Sequence, residues 1–69
     1  MLAQNIRKLR LKKGLSQEKL SRLADIANAT LVKIECGVAK EPTITTVVKI
    51  AAALNVSIDE LVGKIKNNG

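Results

Sequence analysis

Cationic side chains are the main chemical resource of this chain. From Met1 to Arg22 seven basic residues, Arg7, Lys8, Arg10, Lys12, Lys13, Lys19 and Arg22, stand against one acid, Glu18, whereas from Leu23 onward five lysines are balanced by five acids. The whole net charge of +6 therefore sits on the first third of the sequence, as expected of a protein that attracts a polyanion. A basic helix that only aids solubility would leave the same mark, so charge alone does not choose between the two.

Catalytic and metal chemistry have little to work with. The chain has no His and a single Cys, Cys36, too few ligands for a zinc site and no second thiol for an intramolecular disulfide, which suits a reducing compartment. Nothing resembles a phosphate-binding loop, and Cys36 reads as a small non-catalytic residue. The expectation is no enzyme, no cofactor and no small-molecule ligand. Aromatic residues are also absent, which argues against RNA modules and single-strand binders that stack bases on aromatic rings. Apolar runs fall far short of the roughly 18 residues of a membrane span, and no signal-peptide pattern opens the chain. A soluble cytoplasmic protein without membrane contact follows as the expectation.

The elements that must hold these cations are helical throughout. Leu2, Ile6 and Leu9 recur at helical spacing with Arg7, Lys8, Arg10 and Lys12 on other faces, predicting an amphipathic first helix over about 2–13 that stops at Gly14. Ser16 is placed to cap a second helix over 17–24, with Glu18 at its positive end. After a very short turn at Asp25 and Ile26, Leu31 and Ile34 resume the period in a third helix over 28–35 that ends at Gly37. Thr43 caps a fourth helix over 44–54, built on Val47, Ile50, Ala51 and Leu54, and Asn55 closes it in the left-handed conformation. Ser57 and Glu60 form a capping box, with Val56 and Leu61 at the staple positions, for a fifth helix over 58–65. Residues 67–69 are a frayed tail after a single domain over 1–66. Sixty-nine residues bury only about 60% of the unfolded surface, so the aliphatic core is small.

The segment Gly14-Leu15-Ser16-Gln17-Glu18-Lys19-Leu20, continuing to Leu31-Val32-Lys33-Ile34-Glu35-Cys36-Gly37, resembles the Cro and lambdoid phage repressor family of helix-turn-helix proteins, the xenobiotic-response-element type. Arg10 before the motif, Pro42 after it and the run from Ala51 to Leu61 also fall where that family has counterparts, so the resemblance covers most of the chain without a gap. It implies an all-α, compact five-helix lambda-repressor-like fold with the helix-turn-helix at the second and third helices. The implied function is sequence-specific binding of double-stranded DNA as a transcriptional regulator, a repressor or controller protein. Helix Asn28–Glu35 would lie in the major groove of a palindromic operator, and two copies would set their reading helices ~34 Å apart.

Roles carry over by position. Gln17 matches a glutamine that contacts a backbone phosphate, and Asn28, Ala29, Thr30 and Lys33 match the positions that meet bases. Their chemistry suits this: Asn pairs with adenine, Ala or a Thr methyl touches the thymine methyl, and Lys donates to guanine. Arg10 and Glu35 match an ion pair between the first and third helices, with Arg10 also close to a phosphate. Lys40 matches a loop that lies along the sugar-phosphate backbone. Lys12, Lys13 and Arg22 add long-range attraction and set the salt dependence.

Two departures bear on the reading helix. Asp25 occupies the turn position usually held by Gly and adopts positive φ at a cost. Ala27 replaces the usual Ser or Thr and cannot cap, so Asn28 is expected to cap as well as read. With one cation on the reading face, guanine recognition is thin and specificity leans also on DNA shape. The competing reading is a protein-interaction module, such as an antitoxin or adaptor. Val38, Ile44, Val48, Ile58, Val62 and Ile65 would supply its apolar surface, and the same residues suit a homodimer interface.

Overall fold

The computed structural model describes residues 2–38 and 42–62. Among the described residues five helices follow one another: α1 (Leu2–Lys12), α2 (Gln17–Ala24), α3 (Asn28–Glu35), α4 (Ile44–Leu54) and α5 (Ile58–Val62). No strand occurs among the described residues, and none of the described helices is long and apolar enough to cross a membrane. The expected continuation of α5 to residue 65 and the tail at 67–69 lie outside the described residues.

The first four helices end in the same way. A left-handed residue follows each one, Gly14 (φ 71°), Asp25 (φ 57°), Gly37 (φ 85°) and Asn55 (φ 59°). The next amide then donates across the end of the helix, from Leu15 to Arg10 O, Ile26 to Ser21 O, Val38 to Lys33 O and Val56 to Ala51 O, each at 3.0 Å. This is the Schellman closure, which satisfies carbonyls the helix leaves free and usually sets an apolar residue after the left-handed one. Leu15, Ile26 and Val56 pack against the core as that motif requires, but Val38 is exposed. The closure also ends α1 at Lys12, one residue short of the predicted boundary: the Lys13 amide is already shared between Leu9 O (3.1 Å) and Arg10 O (3.2 Å).

Helix starts are equally specific. Ser16 Oγ accepts the Lys19 amide at 3.0 Å and Thr43 Oγ1 accepts the Thr46 amide at 3.2 Å. Before α5, Ser57 Oγ accepts the Glu60 amide (3.0 Å) while Glu60 Oε1 accepts the Ser57 amide (3.1 Å), the reciprocal capping box. These caps fix where each apolar stripe begins, and the stripes meet in one core. Ile6, Leu20, Leu31, Ile34, Ile50, Leu54 and Leu61 are its fully buried side chains, with Ala24, Val47 and Ala51 between them. Burial of each large aliphatic contributes about 1.5–3 kcal/mol, which is what holds short helices that would be marginal alone.

Candidate nucleic-acid interface

The turn between α2 and α3 is held from three directions. Asp25 takes the left-handed conformation (φ 57°, ψ 48°), Ile26 anchors the chain against the core, and Lys49 Nζ of α4 donates to the Asp25 carbonyl at 3.4 Å. Buried Ser21 adds a local tie, its hydroxyl donating to Glu18 O at 2.8 Å. Neither Lys49 nor Ser21 was singled out from the sequence. Lys49 acts across 24 positions, beyond the reach of any helical period, and a Ser inside a helix gives no sign of whether it faces inward.

Glu35, at the inner edge of α3, accepts three side-chain hydrogen bonds. Arg10 of α1 reaches it with Nε to Oε2 (2.7 Å) and Nη2 to Oε1 (3.0 Å), and Gln17 Nε2 donates to the same Oε1 at 3.1 Å. The third guanidinium nitrogen of Arg10, Nη1, donates to Leu15 O at 2.8 Å, closing the network onto the loop before α2. The side chains of Arg10 and Glu35 are only 9% and 3% exposed. A buried carboxylate is tolerated when its lone pairs are filled and its charge is matched, and the forked guanidinium does both. Three helices are thereby pinned through one carboxylate, and the amide of Gln17 is held in place beside it.

The outward side of α3 is different. Asn28, Ala29, Val32, Lys33 and Cys36 are exposed and Thr30 is half-buried at the edge, while Leu31 and Ile34 point into the core. The expectation that Asn28 caps the helix is corrected: the cap position is Ala27, extended at φ −67° and ψ 141° with no side-chain hydrogen bond. The Ala27 carbonyl accepts the amides of Thr30 (3.0 Å) and Leu31 (3.2 Å), so the helix is already under way at Asn28. Because the non-helical residue comes one position earlier, the Asn28 side chain makes no hydrogen bond among the described residues. It is left available, as are the first amides of the helix.

The remaining predicted residues fall into three groups. Arg7, Lys8, Lys12, Lys13 and Lys19 are exposed, and Arg22 is engaged at 2.9 Å by Glu18 one turn earlier in a pair whose side chains are 71% and 72% exposed. Lys40 and Ile65 lie outside the described residues. Val38, Ile44, Val48 and Ile58 are exposed as a protein-contacting surface would need, and Val62 is half-buried. Leu11 and Leu23 are also exposed, which the sequence reading did not foresee because both fall inside helices already assigned an apolar stripe. Cys36 is an exposed free thiol whose Sγ lies 3.5 Å from Lys33 O.

Comparison with known proteins points the same way. The helix-turn-helix family profile matches residues 6–61. YopO, an uncharacterized HTH-type transcriptional regulator derived from the SPbeta prophage of Bacillus subtilis (strain 168), is 43% identical over 60 residues, covering 87% of this chain and 84% of YopO. Among solved structures, SinR, a master regulator for biofilm formation, in complex with DNA, superposes with a TM-score of 0.86 at 34% identity, over 90% of this chain and 98% of that one. The DNA-binding domain of SinR comes from Bacillus subtilis. The restriction-modification controller protein C.AhdI from Aeromonas hydrophila superposes with a TM-score of 0.81 at 33% identity, over 87% and 89% of the two chains.

Proposed function

The chain belongs to the helix-turn-helix family, of the Cro and lambdoid-repressor type, and from that premise we propose that it is a transcription regulator that binds double-stranded DNA in a sequence-specific way. In this reading α3 enters the major groove, which admits a single helix. Asn28, Ala29, Thr30 and Lys33 meet base edges; Gln17, Arg10 and Lys40 serve the phosphates. The observation that carries the proposal is the division of α3 itself: its inner edge is locked to α1 and α2 through Glu35, while the Asn28 amide and the Lys33 ammonium stand exposed and unengaged by described residues on its outer side.

The basic first third of the chain supports the reading from a second direction, since phosphate attraction supplies the sequence-independent part of DNA affinity. Gln17 Nε2 spends one N–H on Glu35 and retains another, so a phosphate would meet a donor already oriented. Arg10 keeps two of the five N–H groups of a guanidinium but turns the rest inward, which makes it a strut before it is a contact. The function is binding rather than catalysis, in the cytoplasm, as a two-fold dimer on a palindromic site. Val38, Ile44, Val48 and Ile58 supply apolar area for the second copy. The same four residues are what favours the alternative, an adaptor that holds another protein.

Selection of bound sequences from a random duplex pool at about 150 mM salt, where non-specific phosphate binding is weak, tests the proposal. A palindromic motif with half-sites one helical turn apart is the expected result. Equal recovery of all sequences would overturn the DNA reading and leave the adaptor.

A further inference from the structure

One Val on the outer side of α3 stands apart from the core. Val32 is 37% exposed although Leu31 before it is 0% and Ile34 after it is 1% exposed, so it belongs to neither the core nor the network at Glu35. At ~100° per residue it lies ~40° around the helix axis from Asn28 and ~60° from Ala29, one turn along from both. Lys33 flanks Ala29 at a similar angle on the other side. Val32 and Lys33 thus sit symmetrically about the centre of the outward face, and α3 presents an apolar branched side chain where its sequence provides only one cation.

Resting on the proposed DNA reading, we infer that Val32 is a specificity-determining residue that recognises the C5-methyl group of a thymine in the major groove. The chemistry is selective because that methyl is the only methyl group any unmodified base pair presents there. A polar or charged side chain would find donors and acceptors on several bases, but Val has one complementary partner. Its β-branched side chain has a single strongly preferred χ1 in a helix, so the two methyls are held in place before binding and little rotamer freedom is lost. Ala29 on the adjacent turn is exposed and too short to obstruct the approach. Specificity at this position is then carried by apolar contact, which offsets the scarcity of cations on the face.

Replacing each thymine of the selected site by deoxyuridine removes the methyl and leaves the hydrogen-bonding edge unchanged. At one position per half-site the full chain should lose about 3- to 10-fold in affinity, the scale of burying one methyl group. Val32→Ala and Val32→Ser, which remove both γ-methyls, should bind the thymine site more weakly by a similar factor and no longer distinguish it from the uridine site there. Both variants alter an exposed side chain, and circular dichroism melts checked against the parent confirm that folding is not what changes. Undiminished discrimination in Val32→Ala, or no uridine sensitivity at any position in the parent, overturns the inference while leaving the DNA reading intact. Failure of the pool to yield any preferred sequence overturns both.

Discussion

The two sides of α3 are made from the same eight residues and obey different rules. Inward, Leu31 and Ile34 are buried and Glu35 is matched by Arg10 and Gln17, so every group has a partner supplied by another helix. Outward, Asn28, Ala29, Val32 and Lys33 are exposed, and the helix start between the two sides lacks a cap. A protein with only about 5–15 kcal/mol of stability concentrates its internal bonds where they orient the helix and leaves uncommitted the side that must meet something else. Inner substitutions should therefore change stability, and outer ones should change recognition alone.

The largest expected effect is on the inner side. Glu35→Ala strands a buried guanidinium and should cost about 3–5 kcal/mol of unfolding free energy, read by urea denaturation; a loss below 1 kcal/mol would show the network to be no more than a surface pair. Outward, Asn28→Ala and Lys33→Ala should each weaken binding to the selected operator by about 1–3 kcal/mol, relaxing preference at one base pair, with thermal midpoints unchanged. Equal weakening on random duplex would count against base reading by these residues. Between the two sides, Ala27→Ser supplies the missing cap and should raise stability by about 1 kcal/mol in the same denaturation experiment. The smallest effect belongs to the exposed pair on α2: Glu18→Ala should cost only about 0.3–0.5 kcal/mol, setting the scale against which the buried pair is judged.

Much of this was legible in the sequence because the signals are local. Ser16, Thr43 and Ser57 cap helices within three residues of themselves, and Asn55 takes the left-handed conformation that its short polar side chain tolerates. Asp25 does the same at the position where Gly is usual, so the strain read from its identity is present in the structure. The repeated pairing of a left-handed residue with an apolar one, Gly14 with Leu15, Asp25 with Ile26, Gly37 with Val38 and Asn55 with Val56, was also visible in retrospect. It marks four helix ends by one rule. The candidate site was less legible. Whether Ala27 or Asn28 opens α3 is a matter of one residue, and Asn28 is the better cap by type; the course of the chain out of the Asp25 turn placed the non-helical residue at Ala27 and freed Asn28.

By itself the sequence determined the helical class, the order and limits of most elements, the concentration of positive charge and the resemblance of its motif, because propensity, capping and periodicity act between residues a few positions apart. Only the tertiary structure decided that Gln17 joins Arg10 on Glu35 across 18 positions, that Lys49 closes the turn from α4, and that Val32 faces outward while Leu31 and Ile34 do not. Those outcomes depend on the rotation and approach of whole helices, set by how the aliphatic stripes interlock in the core.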